Sequence, residues 1–464
     1  MTSLRGFIES WWTELPHATA ARWAALFFSL HILTLLISVA VTQAFLAAAS
    51  VAYLTHLLRL RPLWRGHLAR ARERDAPTTA GETPALRAIS FPPLKLPLLL
   101  FCLTTLNSIL WAEHPAGGWV AVRKLVLFLI LLLSVNLVAS ARHLGALFRG
   151  LFLVAAFAGL AGIAQFVIQY HSVRQLHPGR VYYYMTLTRI HGFMGHWMNF
   201  GGQQMLVFTA LLAFLLLSAR LAKGFLAGQK GKGKGFYGLV MGVVATSLVL
   251  TFTRGVWLGC FVATLYIVAR WKPRTLWVIP VLLVVAYVAA PSMIRRRVSL
   301  AFHPTDEPAL AIRLEMWGVG LRMVREHPWA GVGPENIPRV YTQYLPPGTT
   351  PIVGYHDHLH DNLLQMAAER GLPCLVAWLW FMLALGWHIL RIRGRLSSGR
   401  WVADAAFAAW LAFLAEGFFE YNFGTSPVLM VFLFLMSTPF VAEHLESRVR
   451  ESSMTGTGSG PSLR

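Results

Sequence analysis

The sequence is short of charge, of acid and above all of lysine. Asp, Glu, Lys and Arg make up 13% of its 464 residues, about half of the roughly 25% found in a soluble domain. With 56% hydrophobic residues and a mean hydropathy of +0.54, that shortage excludes an ordinary water-soluble protein. Cysteine is scarce as well. Cys102, Cys260 and Cys374 fall in or beside apolar runs, and an odd, buried set provides no disulfide framework. They read as small core residues. Acidic residues number 20 against 41 basic ones, a formal net charge of +21. Those basic residues mostly flank hydrophobic blocks, a pattern that orients a membrane protein and argues against a nucleic-acid partner.

What the chain has in abundance is apolar blocks of about 20 residues, the length that crosses a bilayer as a helix. Twelve such spans are predicted, at 23–39, 40–58, 95–112, 119–140, 145–169, 198–218, 236–253, 255–270, 275–291, 371–390, 402–420 and 426–442. The fold class is therefore an all-α polytopic integral membrane protein with about 12 transmembrane helices and one long loop segment before the tenth.

Four loops are strongly basic: "RLRPLWRGHLARARERD", "RLAKGFLAGQKGKGKG", "RWKPR" and "RIRGRLSSGR". With twelve spans all four fall on one side, which makes that side, and both termini, cytoplasmic. Six of the seven lysines lie in or near these segments; Lys124 is the exception. The expected organisation is a cytoplasmic N-terminal interfacial segment over 1–22, spans 1–9 over 23–291, and a non-cytoplasmic loop segment over 292–370. Spans 10–12 over 371–442 and a disordered cytoplasmic tail over 443–464 complete it. Phe7, Trp11 and Trp12 suit one face of an interfacial helix. The loop segment is too short and too proline-broken for an independent domain, and is expected to pack over the spans as a lid.

The non-cytoplasmic side gathers the ionisable groups. Its segments near 170–197 and 292–370 carry eleven arginines and no lysine, a bias in the direction that phosphate binding would take. Arg189 precedes the sixth span. Arg254 sits in the short turn "TFTRGVWLG" with no carboxylate within ten residues on either side, and Arg313 lies in the long segment. A charge at the end of a span either snorkels to headgroups or binds a partner, and a guanidinium fork matches phosphate oxygens.

The stretch "GYHDHLHDNLLQMAAERGLP" places three histidines at alternate positions. His356, His358 and His360 have three readings: a metal cluster on an extended strand, a polar loop, or a general base working near neutrality. His360 is the best placed as a base, because it abuts an amphipathic helix start, where backbone N–H groups favour an anion. "GVG" at 331–333 reads as a turn rather than a phosphate cradle.

Taken together, Arg189 with Gly192, "TRGVWL" at 253–258, Arg313 with Trp317, "PWAGVG" at 328–333 and His360–Gly371 in an H-D-N-L-L-Q-x-x-x-E-x-G pattern resemble the O-antigen ligase family. That family shares a superfamily with O-antigen polymerases and some protein O-oligosaccharyltransferases. The resemblance covers about residues 180–375, and the histidine motif is its most specific part. The sequence departs from the usual ligase pattern at Asp361 and Cys374.

The resemblance implies a bacterial inner-membrane glycosyltransferase with its active site on the periplasmic side. It implies transfer of O-antigen from undecaprenyl diphosphate to lipid A–core, inverting and metal-independent, with no cofactor. Arg189 and Arg254 would hold the diphosphate, His360 would act as base, and Arg313 would make a further substrate contact. Asp357, Asp361 and Glu369 are the acids that could assist His360. The expected partners are the lipid-linked donor, lipid A–core and membrane lipids. The alternatives are an O-antigen polymerase acting on two undecaprenyl-linked glycans and, from another class, a membrane transporter. Against the transporter, no internal repeat is visible. Glu416 and Glu420, near the end of the eleventh span, are the exception: they could bind an ion, and fit a wall of the same cavity equally well.

Overall fold

The computed structural model describes residues 19–73, 89–218, 232–300, 302, 308–352 and 356–455. Among these there are helices and turns but no strand. The interfacial segment with Phe7, Trp11 and Trp12 lies outside the described residues, as does the end of the C-terminal tail.

Each of the twelve predicted spans overlaps a helix, though not always over its whole length. α1 (Thr19–Thr34) and α2 (Val39–Glu73) form a hairpin across a four-residue turn. α3 (Lys95–Leu110) leads to α4 (Pro115–Leu125), which passes through one 3-10 turn into α5 (Leu129–Leu137). α6 (Ala141–Leu176), short α7 (Val181–Leu187) and α8 (Trp197–Leu217) follow. Next come α9 (Lys232–Leu250), α10 (Arg254–Trp271) and α11 (Ile279–Ala289). The long outer segment holds α12 (Ser292–Ser299), α13 (Pro308–Glu326) and α14 (Ile337–Val340). α15 (Asn362–Arg395), α16 (Arg400–Gly417) and α17 (Ser426–Thr455) end the chain.

Six helical stretches among the described residues are long and apolar enough to cross a membrane: Val39–Arg59, Pro115–Leu137, Ala141–Leu176, Trp197–Leu217, Asn362–Arg395 and Ser426–Glu451. Shorter apolar helices stand at Lys95–Leu110, Gly235–Leu250 and Pro273–Ala289. The last helix runs past residue 442, so 443–455 continue it. Glu446 and Arg450, one turn apart at 3.5 Å, support that extension.

Burial divides the helices. The most apolar window of α17 is 89% buried, whereas that of α2 is 22% buried. α17 is thus the central post, packed by α5, α8, α15 and α16. α11 is the opposite case, with Val281, Leu282, Val284 and Val288 all exposed. An apolar outer band of this kind suits contact with lipid.

The outer segment has a small core of its own, including Met316, Val319, Met323, Ile337, Val340 and Tyr341, closed by Leu359 and by Ala368 of α15. Its attachment follows from two residues of α15. Pro373 has no N–H to give the Glu369 carbonyl, and Gly371 (φ +81) kinks the helix, freeing the Ala368 carbonyl and the Leu372 N–H. The stretch 328–333 satisfies all three groups. Val332 N donates to Ala368 O at 2.9 Å, Gly333 N to Glu369 O at 2.9 Å, and Leu372 N to Pro328 O at 2.8 Å. Close approach needs glycine on both sides: a Cβ on Gly331 would lie 2.3 Å from the Glu369 carbonyl carbon, and one on Gly371 would lie 2.3 Å from Trp329 O. "GVG" is therefore a structural turn.

Candidate functional site

Where α8, α10, α15 and the turn after α16 converge, they enclose a cavity of about 800 Å³. Arg189, Arg254, Arg313 and His360, the four residues singled out from the sequence, all line it. So do the first residues of α8 (Trp197, Met198, Asn199) and of α10 (Arg254, Gly255). Helix N-termini favour anions because their first N–H groups lack helical acceptors.

Each arginine is held differently. Arg189 donates through Nε to Thr186 O at 2.8 Å, and its guanidinium lies 5.1 Å from the Trp197 ring centroid. Arg254 is the first residue of α10, carried by a turn so tight that Phe252 takes a left-handed backbone conformation at φ +51. Arg313 donates through Nη2 to Phe419 O at 3.2 Å. Arg297 also lines the cavity and was not singled out. It is buried, and its Nε donates to Phe252 O at 3.0 Å, bracing the turn that carries Arg254.

His360 is placed by its neighbours. Leu359 is buried in the outer core, and its N–H donates to Gln365 Oε1 at 2.7 Å. Asp361 caps α15, its Oδ1 accepting from Leu364 N at 2.7 Å. Between these two anchors His360 adopts φ +52. Its Nδ1 lies 2.8 Å from Glu420 Oε2, and His358 Nε2 lies 3.5 Å from Glu420 Oε1. The two imidazoles meet edge to face at 4.2 Å.

Glu420 is fixed in turn. Asn362, two residues after His360, donates through Nδ2 to Asn422 Oδ1 at 2.7 Å. Asn422 donates to Glu416 Oε2 at 2.9 Å. α16 ends at Gly417, so Glu420 stands in the turn beyond it. Burial pushes its carboxyl up, but the bond from His360 and the proximity of His360, His358 and Arg313 outweigh this. Glu420 is held below the usual carboxylate range. His358 moves the other way: burial, with His360 nearby, lowers it to about 4 although Glu420 opposes the shift.

The three histidines do not form one cluster. His356 stacks on Tyr341 at 4.4 Å, with its Nε2 2.9 Å from Ile352 O. His358, His360 and Glu420 are the group that comes together, with donor atoms within 4.8 Å of one another. That donor set could take a divalent cation, yet it stands in a cavity lined by Arg189, Arg254, Arg297 and Arg313, whose charge opposes one. Of the three acids named as helpers, Asp357 and Glu369 line the cavity and Asp361 serves as the cap. The partner of His360 is Glu420, whose place in the cavity wall was legible but whose pairing was not.

Fold and site together define a polytopic, all-helical protein with an arginine- and histidine-lined cavity where several of its helices begin. Residues 239–379, under a third of the chain, match the family model described as O-antigen ligase, and over this stretch the chain is similar to that family. The matched stretch contains Arg254, Arg297, Arg313, His358 and His360. No curated protein matches the chain. The family and the apolar helices agree with a multi-pass bacterial inner-membrane protein engaged in O-antigen processing.

Proposed function

We propose that the protein is a periplasmic, inverting O-antigen ligase that moves glycan from undecaprenyl diphosphate to a hydroxyl of lipid A–core. The observation that carries this reading is the His360–Glu420 pair, 2.8 Å apart, in a cavity lined by four arginines. An ionised Glu420 can only accept, so the Nδ1 proton of His360 faces it and the Nε2 lone pair is left for a substrate hydroxyl. His360 takes the proton of the acceptor hydroxyl, and that oxygen attacks the anomeric carbon. The bond from that carbon to the phosphate oxygen breaks, and its electron pair leaves with undecaprenyl diphosphate.

In this reading Arg189 and Arg254 hold the diphosphate and stabilise the charge that grows on it. Arg313 makes a further contact with the donor or with a core phosphate. Guanidiniums fill the electrostatic role that a divalent cation has in other sites, so the reaction needs neither metal nor cofactor. The outer segment over 292–370 then faces the periplasm and both termini face the cytoplasm.

A deletion strain tests the proposal through its lipopolysaccharide ladder. Loss of the ladder, with intact lipid A–core and polymerised glycan accumulating on the carrier, is the expected result. Lipid A–core bearing a single repeat would make the protein the polymerase instead, and an unchanged ladder would sink both readings.

A further inference from the structure

Two side chains of the His360–Gly371 motif have no task in that reaction: Gln365 and Glu369. They stand one turn apart on α15, and both line the cavity. Both are almost wholly buried, at 1% and 2% exposed. One oxygen of each serves the fold. Gln365 Oε1 accepts from Leu359 N at 2.7 Å, and Glu369 Oε1 accepts from Glu335 N at 2.9 Å. The other polar atom of each, Gln365 Nε2 and Glu369 Oε2, has no hydrogen-bond partner.

A buried donor and a buried acceptor left unsatisfied on one face of one helix call for a ligand. A hydroxyl answers both needs, since it donates and accepts, and neighbouring hydroxyls on a sugar ring present the two together. The same wall holds the ion pair of Lys124 and Glu335. Lys124 is the lysine that the basic-loop pattern left over, and Glu335 is the residue whose N–H Glu369 holds. Lys124 offsets Glu335 and burial raises the Glu369 carboxyl to about 7, so this wall carries little net charge and suits a neutral polyol better than a diphosphate.

We propose that Gln365 and Glu369, bordered by the Lys124–Glu335 pair, form a subsite that reads the hydroxyls of the acceptor sugar. The inference rests on the glycosyl-transfer reading of this cavity. It gives the wall beside the base to the acceptor and leaves the arginines to the diphosphate.

Two isosteric variants probe the subsite. Glu369→Gln and Gln365→Glu each keep the oxygen the fold uses and reverse the hydrogen-bonding sense of the other atom. Binding of lipid A–core, and of lipid A stripped of its core sugars, is measured to the full chain in nanodiscs without donor. The wild type should prefer the core-bearing lipid at least about tenfold, and each variant should lose that preference. Binding of the core-free lipid and of the undecaprenyl-linked donor should be unchanged. A wild type with no preference, variants that keep it, or an equal fall in donor binding would overturn the subsite. Should one variant fail to fold, the other carries the test. The assay needs no turnover, so an inactive wild type that still prefers the core-bearing lipid counts against the transfer reading alone.

Discussion

His360 Nδ1 and Glu420 Oε2 lie 2.8 Å apart although sixty residues separate them, and Asn362 and Asn422, each two residues further along, are bonded to one another as well. The site is thus held by a double clasp between the start of α15 and the turn after α16. Glu420→Gln should lower kcat by about 10²-fold or more, as loss of an orienting carboxylate does beside a catalytic histidine. Acceptor KM and membrane abundance should stay near wild type. A fall of less than about threefold in a purified transfer assay would remove Glu420 from the mechanism.

Arg189 and Arg254 are argued to act as forks, so charge alone should not replace them. Arg254→Lys and Arg189→Lys are each expected to cut the rate about tenfold, and the alanine variants by about 10²- to 10³-fold. Steady-state assays against donor concentration check this. Lysine variants as active as wild type would reduce the role to simple charge.

Arg297 should matter to stability and rate together, because its Nε bonds the carbonyl of the strained Phe252. Arg297→Met leaves that buried carbonyl unpaired, at about 1–3 kcal/mol. The thermal midpoint in detergent should fall, and transfer should fall with it as the Arg254 turn loosens. Unchanged melting would show the bond to be idle.

His358 supplies a pH dependence. Its folded value, about 4, lies below the ordinary 6.5. The unfolded chain therefore binds the proton more readily. The stability this residue contributes is complete above pH about 6.5 and is lost as pH falls towards 4, at about 1.4 kcal/mol per unit. His358→Asn should flatten the acid side of a melting-midpoint curve between those values, whereas an unaltered slope would assign the loss to other groups.

Gly371→Ala should be among the most damaging single changes. Its Cβ would meet Trp329 O at 2.3 Å from a backbone at φ +81. Neither strand of that crossing can yield without breaking the three hydrogen bonds that cover the kink. Loss of the protein from the membrane fraction is expected, and normal abundance would show that the crossing can open.

Much of this was legible in the sequence, for identifiable reasons. Apolar length located the helices, because a span must be continuous. Arg254 and His360 stood out since each adjoins a helix start in a chain poor in charge. What could not be read was pairing across the fold. Nothing local to Glu420 shows that it reaches His360, and nothing local to Glu335 shows that it meets Lys124 and Glu369. Arg297 was one of three consecutive arginines, and only burial separates it from Arg295 and Arg296. The alternation of His356, His358 and His360 suggested one cluster. The left-handed turn at His360 and the stacking of His356 on Tyr341 divide it.

The stitching of 328–333 to α15 also bears on the order in which the protein is made. Residues 328–333 are synthesised some forty positions before Gly371 and must keep their backbone groups in water until the kink arrives to receive them. Arg189, Arg254 and Arg297 are made early, whereas His360, then the Phe419 carbonyl that holds Arg313, and Glu420 come near the end of the chain. A nascent chain can therefore present cationic surface well before it holds a base. On the proposed reading, a chain halted ahead of α15 would carry the diphosphate-binding arginines without the base.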